Sequence, residues 1–375
     1  MADFSNKTLP GLYIHIPFCA KKCPYCDFYS TDELQHKSDF ICSMEKEALH
    51  YKSRLNHFGS LYLGGGTPAF LTDHELGKLI EFIHKHFTFS EDAEITIEAN
   101  PNDITPDKLN RLSSLGFNRI SIGVQSFDDE ALSSLQRGHT AEVAEKAINL
   151  TREAGFSNLA IDLMYAVPGQ SGKAWKHTLD KTVSFKPEHI SCYQLTIKEG
   201  TPFWHMRQQE KIMDPDEKTG ESFFLATSEF LQESGYLHYE ISNFAIDEKH
   251  CSAHNRKYWQ HVPYLGLGPS AHSFFNNKRW WNCRSVKQYN SLLNKGCAPV
   301  DEMEEITDDQ LRLEALFLGF RTRKGVELDV FNKYKGVEKI LPELIQSELV
   351  VIKNRRVVPT TKGLLVADSI PLLFG

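Results

Sequence analysis

The sequence predicts an α/β fold: a partial (β/α)6 barrel, then a mixed α+β region and a small C-terminal helical, winged-helix-like domain. Three observations predict it. Short apolar runs alternate with longer amphipathic stretches through the first two hundred residues. The chemically unusual segments (Cys19–Cys26, Gly64–Pro68, Asn100–Pro101, Gln125 and Pro168–Gly169) each follow an apolar run, where a barrel gathers its functional loops. Beyond about residue 200 the alternation ends. Strand–helix alternation implies a parallel sheet covered by helices. About six units fall short of the eight of a closed barrel, so the barrel is expected to be open.

The predicted strands are Leu12–Pro17, Ser60–Leu63, Ala93–Glu98, Arg119–Val124, Asn158–Met164 and His189–Thr196. Between them, helical spacing covers Asp39–His50, Asp73–His86, Thr105–Leu115, Thr140–Glu153 and Gly172–Ser184. Thr72, Thr105 and Thr140 stand where a hydroxyl satisfies the free amides of a first turn. Lys218–Glu233 has helical spacing, and His238–Phe244 and Trp280–Cys283 are strand-like, with a loop rich in His, Tyr and Trp between them. A helical region starts at Asp308. Leu349–Ile352, a turn at Asn354, Arg356–Pro359 and Thr361–Asp368 complete a helix, helix, hairpin, helix order. Its mixed charge favours a structural lid over a DNA-binding module. The expected division is 1–200 for the barrel, 201–300 for the mixed region, and 301–375 for the C-terminal domain.

Composition is that of a globular protein, with 375 residues, 41% hydrophobic and 24% charged. A net charge of −7 without a basic face argues against a nucleic-acid partner. Met1 to Leu12 lacks the charged start and apolar run of a secretory signal, and no segment approaches the roughly 20 apolar residues of a membrane span. A cytoplasmic location is expected, with reduced thiols. Peripheral membrane association is possible and is not readable from the sequence.

Three of the eight cysteines crowd into Cys19-Ala-Lys-Lys-Cys23-Pro-Tyr-Cys26. Pro17 and Pro24 discourage a helix there, so the loop can wrap its thiolates around one small object. Zinc in a structural site wants four ligands, and no fourth cysteine follows nearby. A 4Fe–4S cube on three thiolates leaves one iron open, which suits the count. Zinc remains the alternative on spacing alone, and with it a zinc-stabilised binding module.

The C-x3-C-x2-C pattern, with Tyr25 before the last cysteine, resembles the signature of the radical S-adenosylmethionine (SAM) superfamily. The resemblance implies a 4Fe–4S cluster on Cys19, Cys23 and Cys26, with SAM chelating the open iron through its amino and carboxylate groups. Gly64-Gly65-Gly66-Thr67-Pro68 looks like the glycine motif that binds the methionine amino group, in the form found in the coproporphyrinogen-oxidase-like branch. Further matches to that branch follow in order. They imply Glu98 on the cofactor's polar groups, Gln125 and Asp162 on its ribose, and Arg137 on its carboxylate, which a guanidinium fork suits. Tyr13 and Tyr25 match aromatic positions flanking the cluster. Taken singly, Arg137 also suits a surface salt bridge and Asp162 a strand-end cap.

Two groups of that branch are similar to this chain. The oxygen-independent coproporphyrinogen III oxidases carry a fourth cysteine two positions after the third and an N-terminal extension. Here that position is Phe28, and eighteen residues precede Cys19; both departures count against oxidase activity, which stays as the alternative. The haem-chaperone group fits better. Its CDF ending is present as Cys26-Asp27-Phe28, and its H-N-x-x-Y-W motif as His254-Asn-Arg-Lys-Tyr258-Trp259. Membership implies haem as cargo, an acceptor protein and an electron donor. His254 is the expected axial ligand, and Gly266-Leu-Gly-Pro-Ser-Ala-His272 a second ligand loop.

Overall fold

The computed structural model describes residues 9–213 and 216–374; Met1–Thr8, part of the segment inspected for a signal, lies outside them. Six parallel strands form the barrel: β1 (Gly11–Ile16), β2 (His57–Gly65), β3 (Thr88–Ala99), β4 (Arg119–Gln125), β5 (Leu159–Tyr165) and β6 (His189–Gln194). Alternation along each strand sorts its two faces. Leu12, Ile14, Leu61, Leu63, Ile120, Ile122, Ile161 and Leu163 point to the helices and are fully buried. The opposite face carries Tyr13, Tyr62, Glu98, Ser121, Asp162 and Ser191. Register sets these polar groups side by side, with Tyr13 opposite Tyr62, Glu98 opposite Ser121, and Asp162 opposite Ser191.

The covering helices are α1 (Lys37–Tyr51), α2 (Asp73–His86), α3 (Pro106–Ser114), α4 (Asp129–Ser134), α5 (Ala141–Glu153) and α6 (Gly172–Ser184). Thr72, Thr105 and Thr140 cap α2, α3 and α5 as expected, each accepting a backbone N–H three residues on. Thr72 and Glu75 form a reciprocal capping box.

Residues 237–305 do not build a sheet of their own. β7 (Leu237–Glu240) and β8 (Asn243–Ala245) extend the sheet beyond β6. β9 (Tyr264–Leu267) pairs parallel to β1, and β10 (His272–Phe275), β11 (Lys278–Asn282) and β12 (Val300–Glu305) follow antiparallel. The result is one open sheet of twelve strands. The segment expected as a His/Tyr/Trp-rich loop contains a short helix, Ala253–Trp259, capped by Ser252. Among the described residues no helix is long and apolar enough to cross a membrane.

The C-terminal part has a separate core around Leu316, Phe320, Phe331, Val350 and Val357. Its three-stranded sheet orders β13 (Val326–Glu327), β15 (Arg356–Pro359) and β14 (Val350–Lys353). Asn354 and Arg355 both take positive φ, the backbone a two-residue hairpin turn needs, so the expected turn is there.

Candidate functional site

The cysteine loop leaves the end of β1 and is stitched to its neighbours through its backbone. Cys19 N–H donates to Thr31 O at 3.2 Å, Thr31 N–H to Pro17 O at 2.7 Å, and Thr67 N–H to Phe18 O at 2.8 Å. The glycine loop after β2 therefore clasps the cysteine loop directly. Gly66 is required by this approach, since a Cβ there would sit 2.7 Å from Phe18 O. Gly65 takes φ +110°, and a Cβ on it would meet the His15 ring at 2.7 Å.

All three thiols are partly exposed, and Cys19, Cys23 and Cys26 are close enough to interact electrostatically. Burial pushes the Cys19 and Cys26 thiols up, against a hydroxyl bond from Thr67 to Cys19 at 3.6 Å. A single ion needs three donors in one coordination sphere, and among the described residues no three His, Cys, Asp or Glu are so arranged. Three thiols on one loop are the donor set a 4Fe–4S cube takes, one thiolate to each of three irons.

Arg137 joins the parts of the site. Its guanidinium donates to Cys23 Sγ at 3.3 Å, Tyr25 Oη at 3.3 Å, Asn100 Oδ1 at 2.5 Å and Gly123 O at 2.8 Å. Its Nε is buried without a partner. A buried guanidinium N–H is costly to leave unpaired, so this nitrogen is the one donor of Arg137 still in need of an acceptor. The surface salt bridge that Arg137 alone suggested is not what it makes.

Glu98 accepts from Tyr62 Oη at 2.7 Å and from Gly65 N at 3.2 Å. Burial pushes its carboxyl up to about 7, with Asp162 adding to the rise. Asp162 accepts from Ser121 Oγ at 2.9 Å, and burial raises it as well. Gln125 holds φ +67° where the β4–β5 register slips, a backbone position that non-glycine residues seldom take outside functional or tightly constrained sites. Tyr13, on β1, bonds Nδ1 of His15 at 3.1 Å. His15 Nε2 faces Tyr29 O at 2.8 Å, and burial holds the ring down to about 4. The ring is neutral, with Nε2 the donor and Nδ1 the acceptor.

The structure brings Cys19, Cys23, Tyr25, Gly65, Gly66, Thr67, Glu98, Arg137 and, through Asn100, the end of β3 into one connected set. His254 lies beside the inner-face tyrosines, its ring centroid 5.2 Å from that of Tyr62 and 6.3 Å from that of Tyr13. It is 1% exposed, with Nδ1 at 2.9 Å from Ser60 Oγ and Nε2 at 2.9 Å from Tyr258 Oη. Both ring nitrogens are occupied, so the expected axial ligand is not open to an iron in this structure. Sequence inspection missed Tyr62, Ser60 and Asn100 as partners. Of these, Asn100 alone had a signal, in the Asn100–Pro101 segment that follows an apolar run.

The chain matches the Radical SAM superfamily model over residues 13–182. It is 32% identical to the haem chaperone HemW of Bacillus subtilis (strain 168) over 373 residues, covering 96% of this chain and 98% of that protein. It is 36% identical to the haem chaperone HemW of Buchnera aphidicola over 286 residues, covering 75% of this chain and 74% of that protein. Among solved structures, it resembles the coproporphyrinogen III oxidase HemN of Escherichia coli, a radical SAM enzyme. The TM-score is 0.82 at 26% identity, over 98% of this chain and 90% of the other.

Proposed function

The chain belongs to the HemW family of radical SAM proteins, and from that membership we propose that it is a haem chaperone that binds haem and passes it to an acceptor protein. In this proposal Cys19, Cys23 and Cys26 hold a 4Fe–4S cluster, and SAM binds beside it. Once bound, the pair would supply one-electron cleavage of the sulfonium to a 5′-deoxyadenosyl radical, given an electron donor.

The chain's own residues divide the work of holding that cofactor. Arg137 offers its unpaired Nε to the methionine carboxylate while its other nitrogens tie it to Cys23 and Asn100. Glu98 meets the ammonium and gives up its proton to do so, because an adjacent cation favours the carboxylate. Gly65, Gly66 and Thr67 bring backbone close to the same group. Gln125 and Asp162 serve the ribose hydroxyls, and Tyr13 and Tyr25 flank the cluster.

The observation that carries chaperone over oxidase is Phe28. It stands where the oxidase pattern has its fourth cysteine, and it is 69% exposed, with no thiol to offer. The full-length likeness to HemN keeps the oxidase as the second possibility. The test is a haem titration of anaerobically reconstituted protein, beside turnover of coproporphyrinogen with SAM and reductant. A shifted Soret band with no vinyl product is expected. Vinyl product without haem binding would overturn the proposal.

A further inference from the structure

We propose that His272, not His254, is the side chain that ligates the haem iron, in a cavity between the cysteine loop and the β9–β10 turn. The assignment rests on the haem-binding function proposed above.

The cavity is about 320 Å³ and open to solvent on one side. Asp27, Phe28 and Tyr29, directly after Cys26, line its walls together with Tyr258, Tyr264, His272 and Arg284. Tyr258 and Tyr264 meet edge to face, with centroids 4.7 Å apart. Phe28 adds an exposed apolar ring. Aromatic side chains around a cavity open to solvent suit an apolar macrocycle that must later leave.

The groups in the lining able to touch an iron are not equivalent: Tyr13 bonds His15, and the Tyr29 hydroxyl accepts from Val286 N. His15 has both nitrogens bonded. The Tyr258 hydroxyl is tied to His254, and burial keeps the phenol far above its ordinary range, so it is no phenolate ligand. Tyr264 is likewise raised by burial. His272 differs: its ring is exposed and stacks on Trp281 at 5.5 Å, and among the described residues no hydrogen bond holds its nitrogens. Although the residue reaches solvent, surrounding protein partly desolvates the ring and, with Arg279 and Arg284 nearby, lowers its pKa, which leaves the neutral imidazole that iron prefers.

Arg284 supplies the remaining requirement, a cation for an anionic edge. One nitrogen donates to Asp27 O at 3.3 Å, fixing the guanidinium at the cavity mouth with further N–H groups free for a propionate. The turn that carries His272 is built rigidly. Gly268 takes φ +102°, and a Cβ on it would meet His15 O at 2.5 Å, so the loop lies against the end of β1. His254 then has a different role, anchoring the Tyr258 wall from behind through its ring nitrogen.

The test is haem titration of the full chain with His272→Gly, Arg284→Gln and His254→Ala, following the Soret band and the ferric ligand spectrum. His272→Gly should lower haem affinity at least tenfold and lose the wild-type band position, and added imidazole should restore the band. Arg284→Gln should weaken binding and leave the band in place. His254→Ala should keep the band position, since the iron ligand remains. A wild-type spectrum in His272→Gly, or a lost band in His254→Ala with the fold intact, overturns the assignment. Absence of haem binding in the wild type would instead refute the proposed function and this site with it.

Discussion

The carboxylate of Glu47, in the middle of α1, accepts the backbone N–H of Gly268 at 2.8 Å, 221 residues away in sequence. The same side chain accepts from Tyr289 Oη at 2.5 Å and Asn282 Nδ2 at 2.6 Å. One buried acid therefore pins the turn that carries His272.

That pin titrates. Burial pushes Glu47 from 4.5 up to about 7, although its three donors pull the other way. The folded protein thus holds the proton more tightly than the unfolded chain. Its stability contribution is full below the unfolded value and is lost as pH rises through about 7. Glu98 shifts in the same direction. Anaerobic urea unfolding between about pH 5 and about pH 8 should show stability falling with pH, and Glu47→Gln should reduce that fall by up to about 3 kcal/mol. Equal slopes in the two proteins would contradict the assignment to Glu47.

Arg137→Ala should weaken SAM binding about 10- to 100-fold, the worth of a charge-assisted hydrogen bond of about 1.5–3 kcal/mol. Iron content should change less, because Arg137 touches Cys23 only as a donor to sulfur. Equilibrium binding on reconstituted protein checks this, and unchanged affinity would remove Arg137 from the cofactor site.

His254→Ala should destabilise the fold by about 2–4 kcal/mol, because Ser60 and Tyr258 both lose their partner in a dry interior. His272→Ala, at an exposed position, should cost under about 0.5 kcal/mol. Thermal melts of the two apo variants side by side make the comparison. Equal melting temperatures would mean the His254 network is not structural.

Gly66→Ala should push apart the cysteine and glycine loops, since the new methyl meets Phe18 O at 2.7 Å. Cluster incorporation should drop at least twofold with the far-UV circular dichroism of the barrel retained. Full iron loading in the variant would show that the contact does not matter.

How much of this was legible in the sequence follows from what alternation can encode. All six barrel strands were, because each buries an aliphatic face and repeats every two residues. β12 was not: Asp301, Glu302, Met303, Glu304 and Glu305 are all exposed, so no apolar alternation marks it as a strand. The helix carrying His254 spans seven residues, too short for a 3.6-residue period to stand out. Within the site, the cysteines, the glycine loop and Arg137 were visible as motifs. The partners that decide roles were not, since Ser60 lies 194 positions from His254 and nothing local announces the bond. For the same reason the motif named His254 as a ligand without showing that Ser60 and Tyr258 hold its ring nitrogens: a motif names residues, while only packing shows which nitrogens are free.

The most direct measurement is iron and sulfide analysis after anaerobic reconstitution, paired with the EPR spectrum of the reduced protein before and after SAM. The account predicts about four irons per chain, a SAM-dependent change in the spectrum, and loss of both in Cys26→Ala. Colourless, iron-free protein, or a Cys26→Ala variant that keeps its full iron, would contradict it.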